Sequence, residues 1–168
     1  MGKYVALLRA VNVGGTGKLP MAVLKQVCID TGFDGVETYI ASGNVVFEST
    51  HGAAAVQSAL ERRLQDDAGR NIDVFIRTAA EMQAVLRANP FPKADPARTY
   101  AFFLSGKPAP DALTNVRRRT DEELRAGTRE IYVHYPGGMG QSRLVIPAAL
   151  SGTARNMRTV AKLVEMSI

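Results

Sequence analysis

Apolar residues along the chain come in short runs broken by glycine and proline, and their spacing alternates between strand-like and helix-like. Tyr4 to Arg9 reads as a strand. Leu19-Pro20 then opens a helix to Thr31, because proline suits a first turn and Gly32 suits the exit; Met21, Leu24 and Cys28 recur on one stripe of it. Val36 to Ala41 and Asn44 to Glu48 predict two strands joined through Ser42-Gly43, since glycine tolerates the positive φ of a tight turn. A helix over Ala53 to Ala68, amphipathic through Val56, Leu60 and Leu64, leads to a fourth strand at Asp73 to Arg77. Strand, helix, strand, strand, helix, strand is the split βαβ order of ferredoxin-like folds. Val5 to Leu8 and Val45 to Phe47 are apolar on both parities, which predicts a first sheet covered on both faces.

Thr78-Ala79-Ala80-Glu81 is a capping box and starts a helix that must end before Pro90. The proline-rich stretch Asn89 to Pro96 then marks a boundary. Beyond it the pattern predicts a strand at Thr99 to Leu104, a short helix near Asp111 to Arg118, and a hairpin of Glu122 to Ala126 with Glu130 to Tyr135. Helical segments around Gln141 to Leu150 and Ala154 to Met166 complete the chain. Thr120-x-x-Glu123 would also cap a helix, so that stretch reads two ways. The expected architecture is α+β, with two ferredoxin-like subdomains packed as one unit: residues 1–78, a helix and connector over 79–98, and residues 99–168 with a terminal helix.

At 168 residues, with 46% hydrophobic and 22% charged residues, the chain suits a globular protein with a buried core. No apolar stretch approaches a membrane span, and the first run is too short for a signal-peptide core, so the expected location is the cytoplasm, with no membrane partner. A single cysteine, Cys28, excludes an internal disulfide framework and a cysteine-rich zinc site. On the apolar stripe of its helix, with no histidine close in sequence, it reads as a small core residue. Residues 1–77 carry 8 basic and 8 acidic side chains while residues 78–168 carry 13 and 8, so the second half holds the whole net charge of +5. That asymmetry suits a phosphate-bearing partner or a basic solvated surface equally.

Three segments could carry chemistry. Arg9 to Lys18 joins a strand to a helix start through Gly14, Gly15 and Gly17, where backbone amides can meet an anion. It is not a P-loop, because Asn12 and Leu19 stand where glycine and Ser/Thr are required, and Pro20 spoils a dinucleotide fingerprint. Tyr135 to Arg143 leaves a strand through glycines and can form an anion nest, or merely a hairpin exit with Ser142 near a helix start. Thr153 to Asn156 supplies another helix start, with Thr153 as N-cap and Arg155, Arg158 and Lys162 as a basic stripe on its helix. Arg117 to Arg119 faces Asp121 to Glu123 in sequence and reads as locally neutralised surface. His51 and His134 have no second ligand at metal spacing, and no nucleophile elbow exists, so neither a metal nor a cofactor is indicated.

Tyr4 to Gly15, Lys18 to Met21, Gly32-Phe33 and Thr38 to Phe47 resemble the domain-of-unknown-function 1697 family of uncharacterised bacterial proteins. Further matches run through Asn89 to Phe91, Tyr132 to Pro136, Gly138 to Leu144 and Thr153 to Leu163. The resemblance implies two ferredoxin-like subdomains and brings no activity, substrate or catalytic residue. Many members have Trp-Asn where this chain has Met157-Arg158. Set against the RNA-recognition module, which shares the ferredoxin-like order, Asn44 and Val46 fall where stacking aromatics belong, so that platform is missing and Ser42 and Asn44 read as turn residues ahead of ligand contacts. The resulting expectation is a binding protein for a phosphate-bearing small molecule or nucleic acid, held in a cleft between the halves. Arg9, Asn12, Lys18, Ser42 and Asn44 would serve from the first half, and Ser142, Arg143, Arg155 and Asn156 from the second. The rivals are a metal-independent enzyme using the same cleft and a protein-interaction module.

Overall fold

The computed structural model describes residues 1–168, which divide into two compact units: Met1–Met82 with Leu163–Ile168, and Gln83–Lys162. In the first unit the order is β1 (Gly2–Leu8), α1 (Met21–Asp30), β2 (Asp34–Tyr39), β3 (Asn44–Ser49), α2 (Ala53–Ala68) and β4 (Val74–Thr78). The strands form one antiparallel sheet in the order β2-β3-β1-β4, the ferredoxin-like arrangement the hydrophobic pattern predicts. Alternate side chains explain why the helices lie where they do. Tyr4, Ala6 and Leu8 of β1, with Val45 and Phe47 of β3, meet Leu24 and Cys28 of α1 and Leu60 and Leu64 of α2 in one core. Phe47 stacks on Phe33 with ring centroids 4.2 Å apart, and Gly69, in the left-handed region at φ 70°, ends α2. The opposite parity, Val5, Leu7, Val46, Phe75 and Arg77, is also buried, so both sheet faces are withdrawn from water.

The capping box forms as its sequence implies. Thr78 Oγ1 accepts from the Glu81 amide at 3.1 Å and Glu81 Oε1 accepts from the Thr78 amide at 2.8 Å, starting α3 (Ala79–Arg87).

In the second unit β5 (Thr99–Phe103), β6 (Glu123–Ala126), β7 (Glu130–His134) and β8 (Thr153–Asn156) make a second antiparallel sheet, ordered β6-β7-β5-β8. Its plan repeats that of the first sheet, with β5 in the place of β1. The hairpin at Glu122 therefore prevails over the alternative helix. The crossovers differ from expectation, however. No helix forms at Asp111 to Arg118: Ala112 and Thr114 each donate only to the carbonyl three residues back, Arg118 sits at φ 57°, and Arg117 pairs with Val145 as an isolated bridge. Gln141 to Leu150 is likewise not a helix but two single 3₁₀ turns, Met139–Gln141 and Pro147–Ala149, around that extended bridge.

The helix expected from Ala154 is corrected as well. Thr153 to Asn156 is strand, because its backbone is claimed by the β5 ladder, and α4 (Met157–Met166) begins after it. The cap is Asn156, whose Oδ1 accepts from the Thr159 amide at 2.9 Å, and not Thr153. Arg155 thus leaves the helical stripe, and on α4 Ala161 is exposed while Leu163 is buried. The two sheets match even here. Arg77 stands opposite Val5, and Arg155 opposite Ala101; both guanidinium groups are buried, and each donates through Nη1 to the carbonyl of the residue before it, Ile76 at 3.1 Å and Ala154 at 2.9 Å.

One glycine tests the packing of the first unit. Gly43 lies at φ 90°, and a Cβ there would come 2.7 Å from Val11 Cγ2 and 3.0 Å from Leu8 Cβ, whereas Gly14 at φ 55° has open space around it. Gly43→Ala is expected to lose roughly 2–4 kcal/mol in urea unfolding, from the left-handed backbone plus overpacking, and Gly14→Ala only about 1–2 kcal/mol from the backbone alone.

Candidate functional site

The register of the first sheet gathers three connections at one end. Leu7 pairs with Asn44 and Leu8 with Val74, so the loop after β1, the turn before β3 and the entry to β4 leave the sheet together. The Arg9 amide donates to Asp73 O at 3.0 Å and the Leu8 amide to Gly43 O at 2.9 Å. Within the loop, Val13 and Thr16 exchange backbone hydrogen bonds at 3.1 and 2.9 Å around Gly14 and Gly15, both at positive φ, as a two-residue hairpin turn of the primed kind requires.

Asn12 holds this loop to its surroundings. Its Nδ2 donates to Leu19 O and Ala41 O, each at 2.8 Å, and its Oδ1 accepts from the Leu19 amide at 2.8 Å. Asn44 is fully buried and acts similarly, donating to Tyr39 O at 2.8 Å and Ser42 Oγ at 2.9 Å. The structure therefore brings Arg9, Asn12, Lys18, Ser42 and Asn44 to one end of one sheet, with Asn12, Ser42 and Asn44 engaged in local hydrogen bonds, Arg9 half-buried and Lys18 exposed. Ala10, Asn12 and Ile40, three of the four non-glycine residues at positive φ, lie here as well. Such conformations cost energy and tend to collect at functional sites. The loop delivers the chain to α1, whose N-terminus has no side-chain cap and no acid in its first turn.

The second-unit candidates are arranged differently. Arg155 is buried in β8, where Nη1 also donates to Thr153 Oγ1 at 2.7 Å; burial pushes its guanidinium down to about 10, which leaves it cationic at neutral pH. Asn156 is spent on capping α4, and Arg143 is exposed. Ser142 donates to the carboxylate of Glu122 in a short hydrogen bond and accepts from the Leu144 amide at 3.1 Å. The segment expected as an anion nest thus carries a carboxylate beside it. Glu122, Glu130 and Arg77 are among the buried charged residues that reading the sequence misses. Glu122 is hidden there in a charge run, and Arg77 and Glu130 stand at strand ends, where a charged side chain is ordinarily read as solvated.

Cys28 is fully buried, and desolvation pushes its thiol up to about 12. His134 Nδ1 lies 3.2 Å from Thr99 Oγ1, and no group of three His, Cys, Asp or Glu side chains converges to hold a metal ion.

The model of a family described as a protein of unknown function, DUF1697, matches residues 1–132. The chain belongs to that family. Over its full length this DUF1697 protein is similar to a solved structure, the conserved bacterial protein SP0830 from Streptococcus pneumoniae, at 25% identity and a TM-score of 0.81, covering 99% of each chain. None of the curated proteins matches. The family and the structural likeness support the two-sheet fold described above, and no helix is long and apolar enough to cross a membrane.

Two outcomes follow from these environments. Cys28 should resist iodoacetamide at pH 8 in the folded protein and react once urea unfolds it, because only the thiolate is nucleophilic; fast labelling of the native chain would contradict its burial. Burial alone would raise the Glu122 carboxyl, but hydrogen bonds from Ser142 and from the amide and hydroxyl of Thr120 outweigh it and hold it below its ordinary value. A lowered folded-state pKa means Glu122 contributes stability above its unfolded value, near 4.3, and loses it as pH falls through the folded one. The urea midpoint of Glu122→Gln should therefore lie below that of the parent at pH 7 and approach it at pH 3.

Proposed function

We propose that this DUF1697 protein binds a phosphate-bearing ligand, a nucleotide or nucleic acid, at the loop end of its first sheet. The observation that carries the reading is the Arg9 to Lys18 loop itself. It is held in left-handed backbone conformations at Ala10, Asn12, Gly14, Gly15 and Gly17, and it opens into an uncapped, acid-free α1 N-terminus. A glycine-rich turn can offer backbone amides to an anion, a helix N-terminus favours negative charge, and Lys18 is exposed beside them. Arg9, at the base of the loop, adds a second cation. Asn12, Ser42 and Asn44 act as the frame that keeps the loop in shape, so their side chains support the ligand indirectly. Arg155 and Asn156 take no part in this reading, since their hydrogen bonds serve β8 and α4.

A second reading is favoured by Val13 and Ile40, 59% and 48% exposed at the same end: an interaction site for another protein. Thermal unfolding in the presence of inorganic phosphate, nucleotides and single-stranded RNA separates the two. A ligand that binds only the folded chain raises the midpoint, and RNA binding falls steeply with salt whereas a pocketed nucleotide changes little. Arg9→Ala and Lys18→Ala should each weaken the active ligand by about 1.5–3 kcal/mol, the range for hydrogen bonds to charged groups. Unchanged affinity in both variants, or no midpoint shift with any of the three ligands, rejects the anion site.

A further inference from the structure

Two recesses open side by side in the second unit, and they share Tyr135 and Ser142. One, of about 230 Å³, is polar and is lined by Asp121, Glu122 and Gln141 among others. The other, of about 210 Å³, is apolar, with Leu144, Ile146 and Ala149 in its wall.

Glu122 is 3% exposed, and every donor to its carboxylate is neutral: the Ser142 hydroxyl, the Thr120 amide at 2.6 Å and the Thr120 hydroxyl at 3.3 Å. The nearby Arg119 does not compensate it, because Nε donates to the Glu122 main-chain carbonyl at 2.8 Å. These neutral donors hold the carboxylate ionised, which leaves its negative charge without a cationic partner in the recess. Tyr135 gives an independent sign. It is only 4% exposed, its ring packs edge-on against Tyr100 at 5.6 Å, and its hydroxyl has no hydrogen-bond partner in the protein. The hydroxyl oxygen still reaches solvent in the recess that Tyr135 lines, so it is open to a partner there. Glu122 and Tyr135 both line the polar recess, and the Glu122 charge opposes ionisation of that hydroxyl.

We propose that the adjoining recesses form one binding site for a small organic cation, an ammonium group on an apolar arm. The ammonium sits between the Glu122 carboxylate and the Tyr135 hydroxyl, and the arm lies against Leu144, Ile146 and Ala149. An ammonium brings three donors and no acceptor, which suits a carboxylate and a hydroxyl oxygen waiting for a proton donor. A phosphate would be repelled by Asp121 and Glu122, and a bare metal ion lacks the convergent ligands it needs. This site is built from second-unit residues only, and its argument does not use the Arg9 to Lys18 loop.

The test is an NMR titration of the ¹⁵N-labelled full chain with phenethylammonium chloride, alongside the neutral isostere 2-phenylethanol and inorganic phosphate. Saturable shifts of the Gly137, Gly138, Gln141 and Ser142 amides with the cation, and none with phosphate, are expected. Tyr135→Phe keeps the ring and removes a hydroxyl that bonds to nothing in the protein, so it should fold normally and bind about two- to tenfold more weakly. Glu122→Gln should abolish saturation, and Arg9→Ala should leave the titration unchanged. Absence of saturation in the parent protein, equal binding of 2-phenylethanol, or full affinity in Tyr135→Phe would each overturn the proposal.

Discussion

Each unit hangs on one central strand whose backbone is paired on both edges. β1 holds β3 and β4, and β5 holds β7 and β8, all antiparallel. With both edges and both faces of β1 occupied, its side chains have no latitude, and a one-residue slip would move Ala6 and Leu8 out of the helix-covered core. That register also decides where polar chemistry can be placed. Only the connections that leave the sheet remain free to carry it, which is why the left-handed residues and Lys18 collect at one end.

The two units follow one strand plan but close it by different means. α1 and α2 cover the first sheet, whereas short turns and 3₁₀ segments cover the second. A helix lays a continuous ridge of side chains over a sheet; separate turns leave gaps between them. The recesses beside Tyr135 lie among those turns, so the absence of helices there and the presence of cavities are one fact. The equivalent arginines, Arg77 and Arg155, show what both units retain: a buried cation on the last strand, followed by a residue that caps a helix.

Much of the first unit was legible in the sequence. Val56, Leu60 and Leu64 outline a long amphipathic helix, and α2 spans Ala53–Ala68 as expected. The second unit was harder for physical reasons. Thr153 to Asn156 contains no apolar residue larger than alanine, so its strand character comes from the β5 ladder rather than from its own side chains. The family resemblance, in contrast, was readable from motifs spread along the whole chain. Among the candidate site residues, Asn44 reads as a turn residue ahead of a ligand contact and bonds within its turn, and the polarity of Asn12 is likewise spent on backbone groups of neighbouring turns. Glu122 is not legible in the sequence, because a charge run looks the same whether its members are solvated or buried.

The membership of Leu163–Ile168 in the first unit has a consequence for how the protein is made. These residues are synthesised after the whole of Gln83–Lys162, so the first unit receives its last piece only once the second has emerged. Contacts that wait for so distant a segment carry a large loop-closure cost and slow folding. Translation order therefore works against independent maturation of the amino-terminal half: a nascent chain stalled after Met82 carries the sequence of all four strands and both helices, yet lacks a segment that the finished unit includes.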